Sequence, residues 1–213
     1  MMLAAGLGAQ VHRESTEWLD VWLPNSNDHD LPRVLLIGDS ITRGYGKAVE
    51  ERLKGKAYVG RLATSKSLGD PALAEEVALV LRQMSFDVVH FNNGMHGNAY
   101  TEEEYGAAIP AILATIRHGA PNAKLILATT TDVRVKGDLS RADAKTERMV
   151  KRNAIVAEAA RRERIPLDDL FAAVQGHPEY HALDGVHFAE AGSAVLAAQV
   201  AAAVEKVLPA AGK

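Results

Sequence analysis

The chain has 213 residues and a mass of 22.8 kDa, with 47% hydrophobic and 24% charged residues, and Lys+Arg 24 against Asp+Glu 27 leaves a net charge of −3. At roughly 100–200 residues per domain this is one domain or at most two, large enough to bury about 70% of its unfolded surface without disulfides; having no cysteine, it is excluded from thiol nucleophiles, cysteine zinc sites and thiolate-held iron–sulfur clusters. The charge balance carries no basic excess for nucleic acid or an anionic membrane, the 5% aromatic content argues against base-stacking platforms, and no apolar run reaches the roughly 18 residues of a transmembrane segment.

The first residues, MMLAAGLGAQ, are small and apolar but lack a basic n-region. They read as a loose N-terminus of a soluble cytoplasmic protein, with a shortened signal peptide ending near Ala9, and hence a secreted or periplasmic location, as the alternative. Residues 1–32 as a whole read as an arm ahead of the domain at 33–213. The arm holds both tryptophans, Trp18 and Trp22, which with Val21 sit at helical spacing. Packing of these rings onto the domain is expected, and direct substrate contact is the alternative.

From residue 33 onward short apolar runs alternate with helical segments. RVLLIG (33–38), AYVGR (57–61), DVVHF (87–91) and KLILATT (124–130) read as buried strands. Helices are expected over 44–54, from Pro71 through ALAEEVALVLRQM, over 101–119, over 141–163 and over 189–207. Thr101 and Glu104 have capping-box spacing, and Pro110 is a candidate kink. Residues 131–140 read as a polar loop, and IPLDDLF (165–171) as a short last strand or turn. No low-complexity linker or internal repeat interrupts this order. Alternation of this kind implies right-handed crossovers and a parallel sheet covered on both faces, a three-layer α/β/α sandwich of flavodoxin-like type. Ligands in such sheets bind beyond the carboxyl ends of the strands.

Those ends carry the informative residues. After the first strand comes Gly38-Asp39-Ser40-Ile41, which puts Ser40 where strand turns to helix; it is either a helix cap or a nucleophile with its N–H at an anion site. Gly44-Tyr45-Gly46-Lys47 fails as a phosphate loop, because position 41 is Ile and position 48 is Ala. Gly69 follows the second strand and Asn92-Asn93-Gly94 the third, each open to a turn reading as well as to hydrogen bonding into the cleft. Near the C-terminus HALDGVHF holds Asp184 and His187 three residues apart. A serine hydroxyl needs a base to take its proton, and a histidine oriented by a carboxylate supplies one. His177, His181 and His187 are also ligand types, so metal-assisted hydrolysis is an alternative, although the HExxH spacing is absent.

These pieces resemble the SGNH hydrolases, the GDSL-type esterase superfamily. GDSI at 38–41 is similar to the first block and DGVH at 184–187 to the fifth; His90-Phe91-Asn92-Asn93 stands where the third block usually has Gly-x-Asn-Asp. No G-x-S-x-G elbow of the α/β-hydrolases is present. The resemblance implies the three-layer fold, no metal and no cofactor, and hydrolysis of an acyl ester by Ser40, His187 and Asp184. It further implies an oxyanion hole from the Ser40 and Gly69 N–H groups and the Asn92 side chain, with Gly60 as the alternative glycine and Asn93 as the alternative amide. The polar loops NNGMHG and TTTDVRVKGD suggest a small acyl group, such as acetyl, on a polar alcohol such as a carbohydrate. Asp39, Asn93, His96 and Arg134 are candidate substrate contacts, Arg134 for an anionic group. A non-catalytic carbohydrate-binding protein on the same fold is the competing class. The oligomeric state is not readable from the sequence.

Overall fold

A computed structural model describes residues 11–209; the segment read as a signal-peptide remnant lies outside them. The central sheet has six strands in the order β1-β3-β2-β4-β5-β8. These are β1 (Leu19–Trp22), β2 (Arg33–Gly38), β3 (Tyr58–Thr64), β4 (Val88–Asn92), β5 (Lys124–Ala128) and β8 (Leu167–Asp168). All neighbours are parallel except β1, which runs antiparallel to β3 from Leu19 opposite Thr64 to Trp22 opposite Arg61. A two-stranded hairpin, β6 (Arg134–Val135) with β7 (Asp138–Ala142), stands apart. The helices are α1 (Ser40–Arg52), α2 (Pro71–Leu81), α3 (Glu102–Gly119), α4 (Lys145–Glu163), α5 (Leu170–Val174) and α6 (Glu190–Glu205). None of the described helices is long and apolar enough to cross a membrane.

The two-residue period of a strand sorts the core. In β2, Leu35 and Ile37 enter one apolar layer with Val89, Phe91 and Leu127, beneath α2, α3 and α4. Val34 and Leu36 enter the other with Val88, Ile126 and Ala128, beneath α1, α5 and α6. Strands buried on both sides have no polar face, which is why these runs read as continuous apolar stretches rather than alternating ones.

Three expectations change. The segment expected to lie ahead of the sheet supplies an edge strand: β1 pairs along β3, and Trp18, just before it, is partly buried while Trp22 remains 55% exposed. The expected polar loop at 131–140 begins as buried chain and ends in the β6–β7 hairpin, which also takes the first residues of the helix expected from 141. Helix α3 runs unbroken through Pro110, with its Thr101–Glu104 capping box formed. Pro110 sits on the exposed face, where water can solvate the carbonyl that the proline leaves without a donor.

A buried polar cluster interrupts the apolar layer beneath α6. His90, in the middle of β4, places Nε2 2.9 Å from Asp168 Oδ2, and Gln199 Nε2 of α6 donates to Asp168 Oδ1 at 2.8 Å. Both His90 and Asp168 have fully buried side chains. Removing one partner of a buried pair strands the other, at a cost of about 3–5 kcal/mol, whereas replacing both with apolar groups of similar volume is far milder. His90→Leu should therefore lower the stability in urea unfolding by about 3 kcal/mol or more. Combining it with Asp168→Leu should restore most of the loss. A double variant no more stable than His90→Leu alone would show that the pair does not hold this position.

Candidate active site

The first strand-to-helix turn sets the site. Asp39 ends the extended chain and caps α1, its side chain accepting from the Ile41 N–H at 2.9 Å. Ser40 is the first residue of α1, where backbone N–H groups have no acceptor within the helix and the helix end carries partial positive charge. Its hydroxyl stands at the carboxyl edge of β2 in the middle of the sheet.

The partner groups come from the turn ahead of α6. His187 Nε2 lies 2.8 Å from Ser40 Oγ, and His187 Nδ1 lies 2.7 Å from Asp184 Oδ2. The other oxygen, Asp184 Oδ1, accepts from the Val186 and His187 N–H groups at 2.9 Å each, so the carboxylate organises the turn as well as the imidazole. The Ala182 N–H donates to the His187 carbonyl at 2.7 Å, and an antiparallel bridge joins His181 to Phe188. Gly185 is left-handed at φ +78°, and a Cβ there would collide with the Arg134 carbonyl. The Arg134 N–H donates to the Gly185 carbonyl at 2.7 Å, so the β6 hairpin braces the turn from behind. Helix α6 packs beside α1, and this adjacency brings residues 147 positions apart in the chain into hydrogen-bond contact.

Strand parity separates the two asparagines. Asn92 follows Val88 and His90 onto the α1–α6 face, where Ser40 and His187 lie; its amide donates to the Thr129 carbonyl at 2.7 Å. Asn93 has both ends of its amide engaged, donating to the Lys66 carbonyl at 2.9 Å and accepting from the Leu68 N–H at 3.1 Å. It ties the loop after β3 to the end of β4. Gly60 lies inside β3 opposite Leu35, three residues short of the pairing of Ala63 with Gly38. Gly69 lies in the loop beyond the strand, just before α2, with the Tyr100 ring where a Cβ would stand.

The remaining sequence candidates have other partners. Asp39 is buried as the α1 cap. Arg134 is not free for an anionic ligand, because its Nε lies 2.8 Å from Asp132 Oδ2 with only 10% of its side chain exposed. His96 places Nδ1 3.6 Å from Glu14 Oε1 and meets the Trp18 ring edge to face. The three C-terminal histidines do not converge. His177 stacks on Tyr180 and meets Glu179 at 2.9 Å; His181 is buried with Nε2 3.3 Å from Asp132; and His187 faces Ser40. Among the described residues no three His, Asp or Glu groups form a metal-holding cluster.

Sequence reading missed the supports. Arg152 of α4 is buried, with Nη1 donating to the carbonyls of Gly94 (2.7 Å) and His96 (2.6 Å) and Nη2 to that of Gly97 (2.8 Å). Its neighbour Asn153 bonds both backbone groups of Thr130, each at 2.8 Å. Adjacent residues of one helix thus grip the loops after β4 and β5. The signal was present: Met149, Arg152, Asn153 and Val156 share one helical stripe, so two polar residues fall on the buried face.

Partial burial pushes the Asp184 pKa up, but hydrogen bonds from the His187 ring and from two backbone N–H groups outweigh this and lower it from 3.8 to about 2. A carboxyl that binds its proton more weakly in the native state than in the unfolded chain stabilises the fold above the unfolded pKa and loses that stabilisation as the pH falls through the native one. The stability gap between the wild type and Asp184→Asn should hold steady above about pH 4 and narrow from there to about pH 2. Chemical unfolding across that range tests this; a gap that stays constant to pH 2 would mean that the carboxylate is not held ionised by these bonds.

The sequence model of the GDSL-like lipase/acylhydrolase family matches residues 36–195. Among curated proteins none matches the chain. Solved structures share the fold at low identity. A GDSL-like lipase from Bacteroides thetaiotaomicron is 21% identical with a TM-score of 0.62, over 83% of this chain and 89% of that one. The aryl esterase of M. smegmatis is 15% identical with a TM-score of 0.70, over 83% and 100%. An alpha/beta hydrolase enzyme from the metagenome of Lake Arreo is 20% identical with a TM-score of 0.66, over 84% and 97%. With the family match spanning most of the chain, and Ser40 and the Asp184–His187 turn both inside it, the protein belongs to the GDSL-like lipase/acylhydrolase family and is a carboxylic ester hydrolase of SGNH type.

Proposed function

We propose that this protein is a serine esterase that removes a short, acetyl-like acyl group from a polar alcohol such as a carbohydrate, using Ser40 as nucleophile, His187 as base and Asp184 as its orienting carboxylate. The observation that carries the reading is the continuous chain of hydrogen bonds from Ser40 Oγ through His187 to Asp184, at 2.8 and 2.7 Å. Ser40 Oγ attacks the ester carbonyl carbon while His187 Nε2 takes its proton, and Asp184 stabilises the imidazolium. The tetrahedral intermediate collapses with the carbon–oxygen bond to the alcohol breaking, and His187 returns the proton to that leaving oxygen. Water, deprotonated by His187, then attacks the acyl-serine; the ester bond to Ser40 breaks, His187 returns the proton to Ser40 Oγ, and the acid is released.

The developing oxyanion is received by the N–H groups of Ser40 and Gly69 and by the Asn92 amide. Asn92 is preferred over Asn93 because strand parity puts it on the sheet face beneath α1 and α6, with only its Nδ2 bonded to backbone, whereas the Asn93 amide is engaged at both ends. Gly69 is preferred over Gly60 because it stands beyond the strand end. A small polar substrate is supported by the openness of the site, where 46% of each of the His187 and Asp184 side chains is exposed. It is also supported by the polar character of the strand-end loops. The dispersal of His177, His181 and His187 onto separate partners favours the serine route over a metal route through those three.

Ser40→Ala should reduce ester hydrolysis by on the order of a million-fold, and an organophosphonate should label Ser40 in the wild type. Near-native turnover in that variant, or no labelling of the intact protein as expected of a pure carbohydrate binder, would sink the assignment. Asn92→Ala should lower kcat by about 10²–10³ with little change in KM, because its bond strengthens only as charge develops on the carbonyl oxygen. Asn93→Ala should instead lower thermal stability, since it leaves the Lys66 carbonyl and the Leu68 N–H unpaired. The reverse pattern would exchange their roles.

A further inference from the structure

Trp18 lies on the β3 side of β2, against the helix that begins at Ser40, whereas the His187 turn rests on the β5 side. Its indole has the Arg43 guanidinium 4.9 Å from one ring centroid and the His96 ring 6.2 Å away at 72°. Arg43 is one helical turn beyond Ser40 on α1, and His96 is four residues beyond Asn92 in the loop after β4. The ring therefore spans from the nucleophile's helix to the loop next to the proposed oxyanion donor. Across the sheet, β3 and Trp18 lie on one side of β2 and Ser40, while the His187 turn rests on the chain that leaves β5 on the other.

The backbone of Trp18 is fixed. Its N–H donates to Ser65 Oγ at 3.0 Å, and its carbonyl accepts from the Ser65 N–H and the Thr64 hydroxyl, each at 3.2 Å. Glu17 accepts from Ser65 Oγ and pairs with Lys66 Nζ, both at 2.6 Å. Burial raises the Glu17 pKa, but these bonds and the Lys66 charge bring it down to about 2, which keeps this anchor ionised at neutral pH. A side-chain substitution at Trp18 leaves all of these bonds in place.

We infer that Trp18, held by Arg43 and His96, is the wall that limits the length of the acyl chain. The inference rests on the esterase reading above. The leaving oxygen must lie against His187 to receive its proton, and the carbonyl oxygen must lie against the oxyanion donors. The one substituent left on the reacting carbon is the acyl chain, which must run away from His187, toward the Trp18 side. An indole that meets both a guanidinium and an imidazole yields little room, so each added methylene meets the ring. Arg43 is a positioning residue in this arrangement, acting through the indole.

The test is a series of 4-nitrophenyl esters from acetate through butanoate and hexanoate to octanoate, measured as kcat/KM relative to acetate. The wild type should fall off beyond butanoate. Trp18→Ala should raise the hexanoate-to-acetate ratio at least tenfold, since each methylene newly accommodated is worth about fourfold. Trp18→Phe, which keeps a ring between the same partners, should stay within about threefold of the wild-type ratio and carries the comparison with Trp18→Leu if the alanine variant does not fold. Arg43→Ala should move the ratio in the same direction by a smaller factor. An unchanged ratio in Trp18→Ala or Trp18→Leu overturns the wall and leaves the esterase reading intact; a wild type that already prefers hexanoate overturns the wall and the short-acyl part of that reading but not its serine chemistry. A wild type that hydrolyses no member of the series and is not labelled at Ser40 overturns both.

Discussion

A guanidinium sealed inside a protein has to find acceptors there, and the way Arg152 finds them governs the shape of the site. Three carbonyls of the loop after β4 turn inward to it at 2.6–2.8 Å, and its flat face lies over the Tyr105 ring, 4.8 Å from the centroid. Tyr105 in turn donates to the Asn93 carbonyl at 2.6 Å. Each unpaired carbonyl in such a place would cost about 1–3 kcal/mol, so the loop has one arrangement that satisfies both the cation and itself. That arrangement sets Asn92 at its head, presents His96 to Trp18, and brings Asn93 to the loop that carries Gly69.

The same logic extends along the carboxyl edge of the sheet. Asn153, next to Arg152, fixes the chain leaving β5 through Thr130, and that chain ends in the hairpin whose Arg134 backbone braces Gly185. The turn bearing Asp184 and His187 is therefore held from below by α6 and from the side by the hairpin. A half-exposed pair such as His187 and Asp184 gains little from Coulomb attraction alone, because water screens it. The rigid backbone around it holds the geometry that solvent-exposed side chains by themselves would not keep.

Much of the plan is legible in the sequence because the forces that set it are local. Val34 to Ile37 is apolar on both faces, and Val88 to Phe91 nearly so with His90 the one exception, which suits only a strand covered on both sides. Thr101 with Glu104 announces a helix start through the acceptors it offers to free N–H groups, whereas the helix expected over 44–54 begins earlier, at Ser40, because Asp39 rather than Ser40 is its cap. Asp184-x-x-His187 keeps carboxylate and imidazole within one turn, where their spacing alone brings them together. Arg152, Asn153 and the His90–Asp168 pair escape a sequence reading for the opposite reason. Each is a polar residue on an apolar stripe whose partners lie on other elements, and nothing near it in the chain says which carbonyl or carboxylate it will meet. The edge strand β1 is obscure in the same way: Leu19–Trp22 pairs with β3, some forty residues later, and its partly polar, mostly exposed run resembles a loop until the pairing is seen.

The sequence alone determined the three-layer class and the order of the four central strands with the long helices between them, and it singled out Ser40 after the first of those strands and the Asp184–His187 spacing ahead of the last helix, because these follow from apolar periodicity, capping chemistry and short-range spacing. Only the tertiary structure decided which asparagine shares the sheet face beneath α1 and α6, which glycine stands past a strand end, that Arg134 is neutralised by Asp132, and that Trp18 comes to rest against Arg43 and His96. Those outcomes depend on strand parity, on the packing of α6 beside α1 and on where buried polar groups find partners. Each is a relation between segments distant in the chain, fixed when the sheet and its helices close around one another.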